Sequence, residues 1–243
     1  MSEEGWIRTQ RKVFTRWVNA YLRQRSLEVD DLDKDFEDGV LLIHLLEILG
    51  KEAIPKWNRT PKMKIHKQEN LKKAWDYMKA RGVPLTNIGA EDVTNGNAKI
   101  ILALVWALIV FFQLNAIALD GISGKKGLLL WCQRLTQGYA GVEVKDFAKS
   151  WADGRAFCAL LHKTDDECVD FASLGARAPR ANLELAFRVG DELFNIPRLL
   201  DPEDVCDVPK PDEKIVMAML CFYFREFARW GRESAAARSI ANA

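Results

Sequence analysis

Three histidines, five cysteines and three short motifs are the residues in this chain that could support catalysis or hold a metal or a phosphate. His44, His66 and His162 lie far apart, and no two sit at i, i+4 spacing with an acid beside them, as a metal site or a general base on one helix would require. His44 and His162 fall in apolar runs and read as core histidines. Cys132, Cys158, Cys168, Cys206 and Cys221 are odd in number, form no CxxC pair and follow no secretory signal, so they are expected to be buried thiols in a reducing cytosol. Asp31-Leu32-Asp33-Lys34-Asp35 opens like a calcium loop, but its sixth position is Phe36 where Gly is needed and its twelfth is Leu42 where a bidentate Glu is needed. Gly121-Ile122-Ser123-Gly124-Lys125-Lys126 has the wrong glycine spacing for a phosphate loop and reads as a turn. Asn58-Arg59-Thr60 matches the glycosylation triplet, a frequent chance pattern. No metal, cofactor or catalytic set is expected.

The remaining chemistry is charge. Thirty-five Lys and Arg against 34 Asp and Glu leave a net +1, which points to no nucleic acid. The balance is segregated, however. Positions 7 to 25 hold six basic residues and no acid, and positions 51 to 81 hold ten basic residues against Glu52, Glu69 and Asp76. Acids collect instead at 28 to 38 and 201 to 213. Such basic segments steer an acidic partner to the surface and make binding sensitive to salt. Any single lysine among them could equally be part of a solvated face.

The elements that must carry these charges repeat. Asp38-Gly39 ahead of a run ending in Leu45-Leu46 is answered by Asp153-Gly154 ahead of Leu160-Leu161. Asn70-Leu71, Ala74 and Val83-Pro84 recur as Asn182-Leu183, Ala186 and Ile196-Pro197. Glu91-Asp92-Val93 recurs as Glu203-Asp204-Val205, and Trp17 as Trp131. Two copies of an all-α fold of about 110 residues follow. Each should be a bundle of four main helices with short connecting helices. The first copy has Phe14, Trp17, Val18, Tyr21 and Leu22 at helical spacing, then helices at 40 to 49, 70 to 81 and 98 to 112. The second has helices at 127 to 137, 155 to 162, 181 to 193 and 212 to 229. We expect a first domain at 1–118, a linker at 119–126, a second domain at 127–231 and the start of a neck at 232–243. Ile100 to Leu119 is apolar enough to raise a membrane span, but its unbroken part is short and a central helix of an all-helical domain has the same composition.

Lys12-Val-Phe-Thr-Arg-Trp-Val-Asn19, Asp35-Phe-Glu-Asp-Gly-Val-Leu-Leu42, Ile88-Gly-Ala-Glu-Asp-Val93, Gly127-Leu-Leu-Leu-Trp-Cys-Gln-Arg134, Ser150-Trp-Ala-Asp-Gly154 and Pro211-Asp-Glu-Lys214 resemble, in order, a tandem calponin homology actin-binding region, in particular that of alpha-actinin. The resemblance implies a non-enzymatic module that binds filamentous actin in the cytoplasmic actin cytoskeleton. It implies contacts from the first and last helices of the first domain and the first helix of the second. Carried onto this sequence, these are Arg11, Lys12, Thr15, Arg16, Asn19, Arg23, Lys99, Lys125 and Lys126. Lys62, Lys64, Lys67, Lys72 and Lys73 would add electrostatic support.

It also implies a longer parent, a cross-linker dimerising antiparallel through a rod absent here. Weak phosphoinositide binding is expected, because Asp165, Asp166 and Glu167 stand in the second domain where relatives are richer in His and Arg. The second copy has Cys221 where the first has Trp106, so Trp106 is expected at a contact between the domains, with Lys214 a cation partner. A calponin homology adaptor for other proteins or for phosphoinositide membranes is the alternative.

Overall fold

The computed structural model describes residues 3–175 and 178–241 and divides between Gln113 and Leu114 into two compact units. In the first, α1 (Glu3–Leu22) buries Val13, Phe14, Trp17, Val18, Tyr21 and Leu22, the stripe that its 3.6-residue spacing requires. A 3₁₀ turn (Arg23–Arg25) ends it, and α2 (Leu32–Asp35) follows, with the Asp31 carboxylate accepting from the Asp33 amide at its start. Three further helices, α3 (Val40–Gly50), α4 (Lys64–Ala80) and α6 (Ala98–Phe112), complete the bundle, with the short α5 (Ala90–Thr94) leading into α6. The last of these is apolar all round because it is central. Ile101, Leu102, Leu104, Val105, Ala107, Leu108 and Ile109 are buried, and α6 packs on α1. The stretch Ala98–Ala116 is long and apolar enough to cross a membrane by composition, and half of it lies inside the structure.

The second unit repeats the plan with α7 (Gly124–Thr136), α8 (Arg155–Thr164), α9 (Pro179–Phe194), α10 (Pro202–Cys206) and α11 (Glu213–Ala241). Its core is aromatic: Phe157 lies 4.6 Å from Trp151, 5.4 Å from Phe187 and 5.7 Å from Tyr223, ring centre to ring centre.

Three expectations change. The segment read as a linker, 119–126, is a hairpin and the start of a helix. Strands β1 (Ala118–Leu119) and β2 (Ile122–Ser123) pair antiparallel across Asp120 and Gly121, both at positive φ, as a tight two-residue turn demands. Gly124, Lys125 and Lys126 then form the first turn of α7. Gly127 lets that helix settle on the hairpin, since a Cβ there would lie 2.5 Å from the Ile122 carbonyl oxygen. Helix α4 starts at Lys64, six residues before Asn70, because its first turns are polar and exposed and show no apolar period. Helix α11 does not stop at Arg229 but continues to Ala241, through most of the expected neck, and residues 242 and 243 lie outside the described residues.

The repeated motifs have one structural cause. Gly39 (φ 77) and Gly154 (φ 75) each turn the chain tightly against an asparagine, leaving no room for a Cβ, which would sit 2.9 Å from the Asn70 and Asn182 Cβ atoms respectively. The Asn70 amide donates to the Asp38 carbonyl (3.1 Å) and the Asn58 carbonyl (2.8 Å). Asn182 donates to the Asp153 carbonyl (2.9 Å) and the Gly175 carbonyl (3.0 Å). Asp38 and Asp153 cap the following helices by accepting from the Val40 and Arg155 amides. The recurring Asp-Gly and Asn are thus parts of a buried clasp joining α3 to α4 and α8 to α9.

Candidate functional site

Helical spacing puts Arg8, Lys12, Thr15, Arg16, Asn19 and Arg23 on the side of α1 opposite its buried stripe. The structure treats them unequally. Lys12, Thr15 and Arg16 are half-buried and Arg8 and Arg23 exposed, Arg23 reaching only to 4.0 Å from Glu28. Asn19 is not a surface contact. It is 6% exposed, its amide nitrogen donating to the Val29 carbonyl (2.9 Å) and its oxygen accepting from the Val29 amide (2.8 Å). The chain returning through Leu27 to Val29 lies across that end of the polar face, which helical periodicity alone cannot show.

Several basic groups are also engaged within their own unit. Arg11 pairs with Asp33 at 2.5 Å, and burial raises the Asp33 pKa despite that guanidinium. Arg25 pairs with Glu47 at 2.5 Å and donates to His44 Nδ1 at 2.6 Å. Burial opposes ionisation of Glu47, but the Arg25 and Ile54 hydrogen bonds outweigh it and hold the carboxyl below the usual range. Lys67 is bonded to Glu37 at 2.9 Å, which raises its pKa. On α7, Lys125 pairs with Glu213 at 2.5 Å and lies 5.9 Å over the Phe147 ring. Lys126 and Lys99 are exposed.

The most open positive charge is at the start of α4. Lys62, Lys64, Lys72 and Lys73 are exposed and make no ion pair among the described residues, and Met63 (59%) and Ile65 (51%) are among the most exposed large apolar side chains. Exposed pairs of the Lys67 kind contribute little to stability, about 0–1 kcal/mol, so these charges are better understood through the field they create than through the fold.

The two tryptophans in the repeated motif are core groups to different degrees. Trp17 is fully buried, its indole N–H donating to Gln113 Oε1 at 2.7 Å, while Gln113 in turn donates to the Tyr21 hydroxyl at 2.5 Å. Trp131 is half-buried against Phe224 and Phe227. Trp106 is half-buried and stacks on Phe14 of its own unit at 6.4 Å. Lys214 is half-buried at the start of α11, its backbone amide bonded to Asp212.

The residues that could have done other chemistry are occupied. Asp35 accepts from the Asp30 and Asp31 amides, Asp31 caps α2, and Asp33 holds Arg11. His162 is bonded to the Tyr139 hydroxyl at 2.7 Å. Cys132, Cys158 and Cys221 are buried and Cys168 and Cys206 partly so. Burial pushes the Cys158 and Cys221 thiols up to about 12, and burial is also the largest reason why Cys168 and Cys206 rise to about 11. None of them is an activated nucleophile.

Comparison with known proteins accounts for this arrangement. The chain is 45% identical over 242 residues to alpha-actinin-like protein 1 of Schizosaccharomyces pombe, covering 99% of this chain and 39% of that protein. It is 39% identical to human alpha-actinin-3, covering 98% of this chain and 26% of that one. The chain therefore spans well under half the length of these curated relatives. The actin-crosslinking core of S. pombe fimbrin has the same fold, with a TM-score of 0.71 at 21% identity over 91% of this chain and 47% of that one. The calponin homology (CH) domain family matches twice, over residues 8–114 and 122–229. With one match on each helical unit, the chain belongs to the calponin homology domain family and carries that domain in tandem.

Proposed function

We infer that the chain is a non-enzymatic module that binds the side of actin filaments and belongs to an alpha-actinin-like cross-linker of the cytoplasmic actin cytoskeleton. The observation that carries this reading is the basic side of the first unit: a segment with no acid from residue 7 to 25, and four exposed lysines at 62 to 73 that make no ion pair among the described residues. Identity of 39% or more to proteins named alpha-actinin or alpha-actinin-like, over nearly the whole chain, supports filamentous actin as the acidic partner of this surface. Long-range attraction raises the encounter rate, and half-buried and exposed apolar groups such as Met63 and Ile65 supply short-range contact.

Bundling needs two such modules held apart, through a dimer of a longer parent, so this region alone is expected to bind without bundling. Phosphoinositide binding is weak in this reading, because the cleft bounded by Tyr139, His162, Lys163 and Trp230 also carries Asp165 and Asp166. High-speed cosedimentation of Lys12→Glu/Arg16→Glu tests the surface. Affinity should fall at least about tenfold in a variant that thermal melting shows to be folded, since both side chains are half-buried. Unchanged affinity would remove α1 from the interface, and pelleting with phosphoinositide liposomes in place of filaments would favour an adaptor.

A further inference from the structure

Ser26 ends the basic helix in a way that makes it a phosphate acceptor. Between Ser2 and Ser123 it is the only serine, and Arg23-Gln24-Arg25-Ser26 is the one place in the chain where an arginine stands three residues before a Ser or Thr. Kinases that recognise basic substrates read that spacing through acidic pockets, by charge-assisted pairing with the guanidinium. Arg23, Gln24, Arg25 and Ser26 are all exposed, and none of the 3₁₀ turn's residues is buried.

The turn's backbone is lightly held, although the Arg25 side chain ties it to Glu47 and His44. Its backbone bonds run from the Ser26 amide to the Arg23 carbonyl (3.0 Å) and from the Leu27 amide to the Leu22 carbonyl (3.2 Å), and Ser26 itself sits at φ 55, a conformation few L-residues favour. Short 3₁₀ segments with exposed hydrogen bonds open readily, and opening is what a kinase cleft requires. The Asn19 to Val29 clasp behind the turn pins the loop's far end, so opening stays local.

We propose that Ser26 is a phosphorylation site for a basophilic protein kinase and that its phosphate weakens binding of the basic face to an acidic filament. The second half rests on the filament reading above. In the transfer, Ser26 Oγ forms a bond to the γ-phosphorus of MgATP as the bond from that phosphorus to the bridging oxygen breaks. ADP leaves, and the hydroxyl proton passes to the kinase's carboxylate base. The product adds about −1.5 to −2 charges next to Arg23 and Arg25, at the end of the segment 7 to 25 that carries six basic residues and no acid. Arg23 and Arg25 are the nearest cations in sequence, and a phosphate on the exposed Ser26 neutralises them and competes with the buried Glu47 for Arg25.

The test is treatment of the purified chain with MgATP and a kinase that reads Arg at the −3 position, followed by mass mapping and cosedimentation with filamentous actin. One phosphate should map to Ser26 and be lost in Ser26→Asn, a residue that tolerates the left-handed backbone. Phosphorylated chain and Ser26→Asp should pellet with about three- to tenfold lower affinity than unmodified chain. Phosphate appearing only elsewhere overturns the site. Equal affinity of modified and unmodified chain overturns its effect. If the unmodified chain itself fails to pellet, the filament reading falls and the effect with it, while the mapping still decides the site.

Discussion

Asn70 and Asn182 show what a recurring residue is for. Each is buried, each closes a helix pair by donating to two carbonyls, and each faces a glycine that has no space for a side chain. Asn70→Ala or Asn182→Ala leaves two carbonyls unsatisfied in place, and each should destabilise its unit by about 2–4 kcal/mol. Urea unfolding checks this, and a loss below about 0.5 kcal/mol would mean that the clasp is incidental. Their recurrence, and that of Asp38-Gly39 and Asp153-Gly154, was legible in the sequence, but their bonding was not, because the accepting groups are backbone carbonyls, two of them at Asn58 and Gly175 in loops that share no motif. Asn19 was misread for a related reason. Its place on the polar side of α1 implies exposure, yet both of its amide groups are used on Val29 by a loop that folds back over the helix. Arg11, Lys67 and Lys125 likewise look like free charges in sequence, and only the fold brings Asp33, Glu37 and Glu213 to them.

Among the elements, those with an apolar period were the most readable: α6 was placed at its observed limits, and the stripe of α1 is the one that is buried. Elements without it were missed or shortened. The first turns of α4 are polar, and the strands of the hairpin are two residues long, too short for any alternation to register. The contact between the turn after α1 and helix α3 gives a pH prediction. Burial lowers the His44 pKa below its ordinary 6.5, Arg25 and Arg59 push the same way, Glu47 opposes them, and the ring sits edge-on to Trp57 at 5.2 Å. The fold therefore holds the neutral ring. Its contribution to stability is complete above the unfolded value of 6.5, declines as pH falls below that, and is gone under the depressed folded value. An NMR titration should place His44 below 6.5, and melting of the first unit should fall more steeply with acid in the wild type than in His44→Gln. A His44 value above 6.5 would contradict the assignment.

For the molecule as a whole, a net charge of +1 understates what the surface can do. Acids and bases are sorted along the chain, some bases are neutralised inside each unit, and the start of α4 keeps four exposed lysines with no ion pair among the described residues. Tandem organisation and family were readable from motif order alone, since the clasps and the apolar helices must recur wherever the fold recurs. The identity of the partner depends on surface chemistry, which the fold fixes less tightly, and it is there that measurement matters most. Cosedimentation of the unmodified chain with actin filaments over a salt series tests the central claim most directly. The chain should pellet at low salt and progressively leave the pellet as the Debye length shortens from about 30 Å at 0.01 M to about 8 Å at 0.15 M. A chain that stays in the supernatant at low salt, or one whose binding ignores salt, would contradict the account.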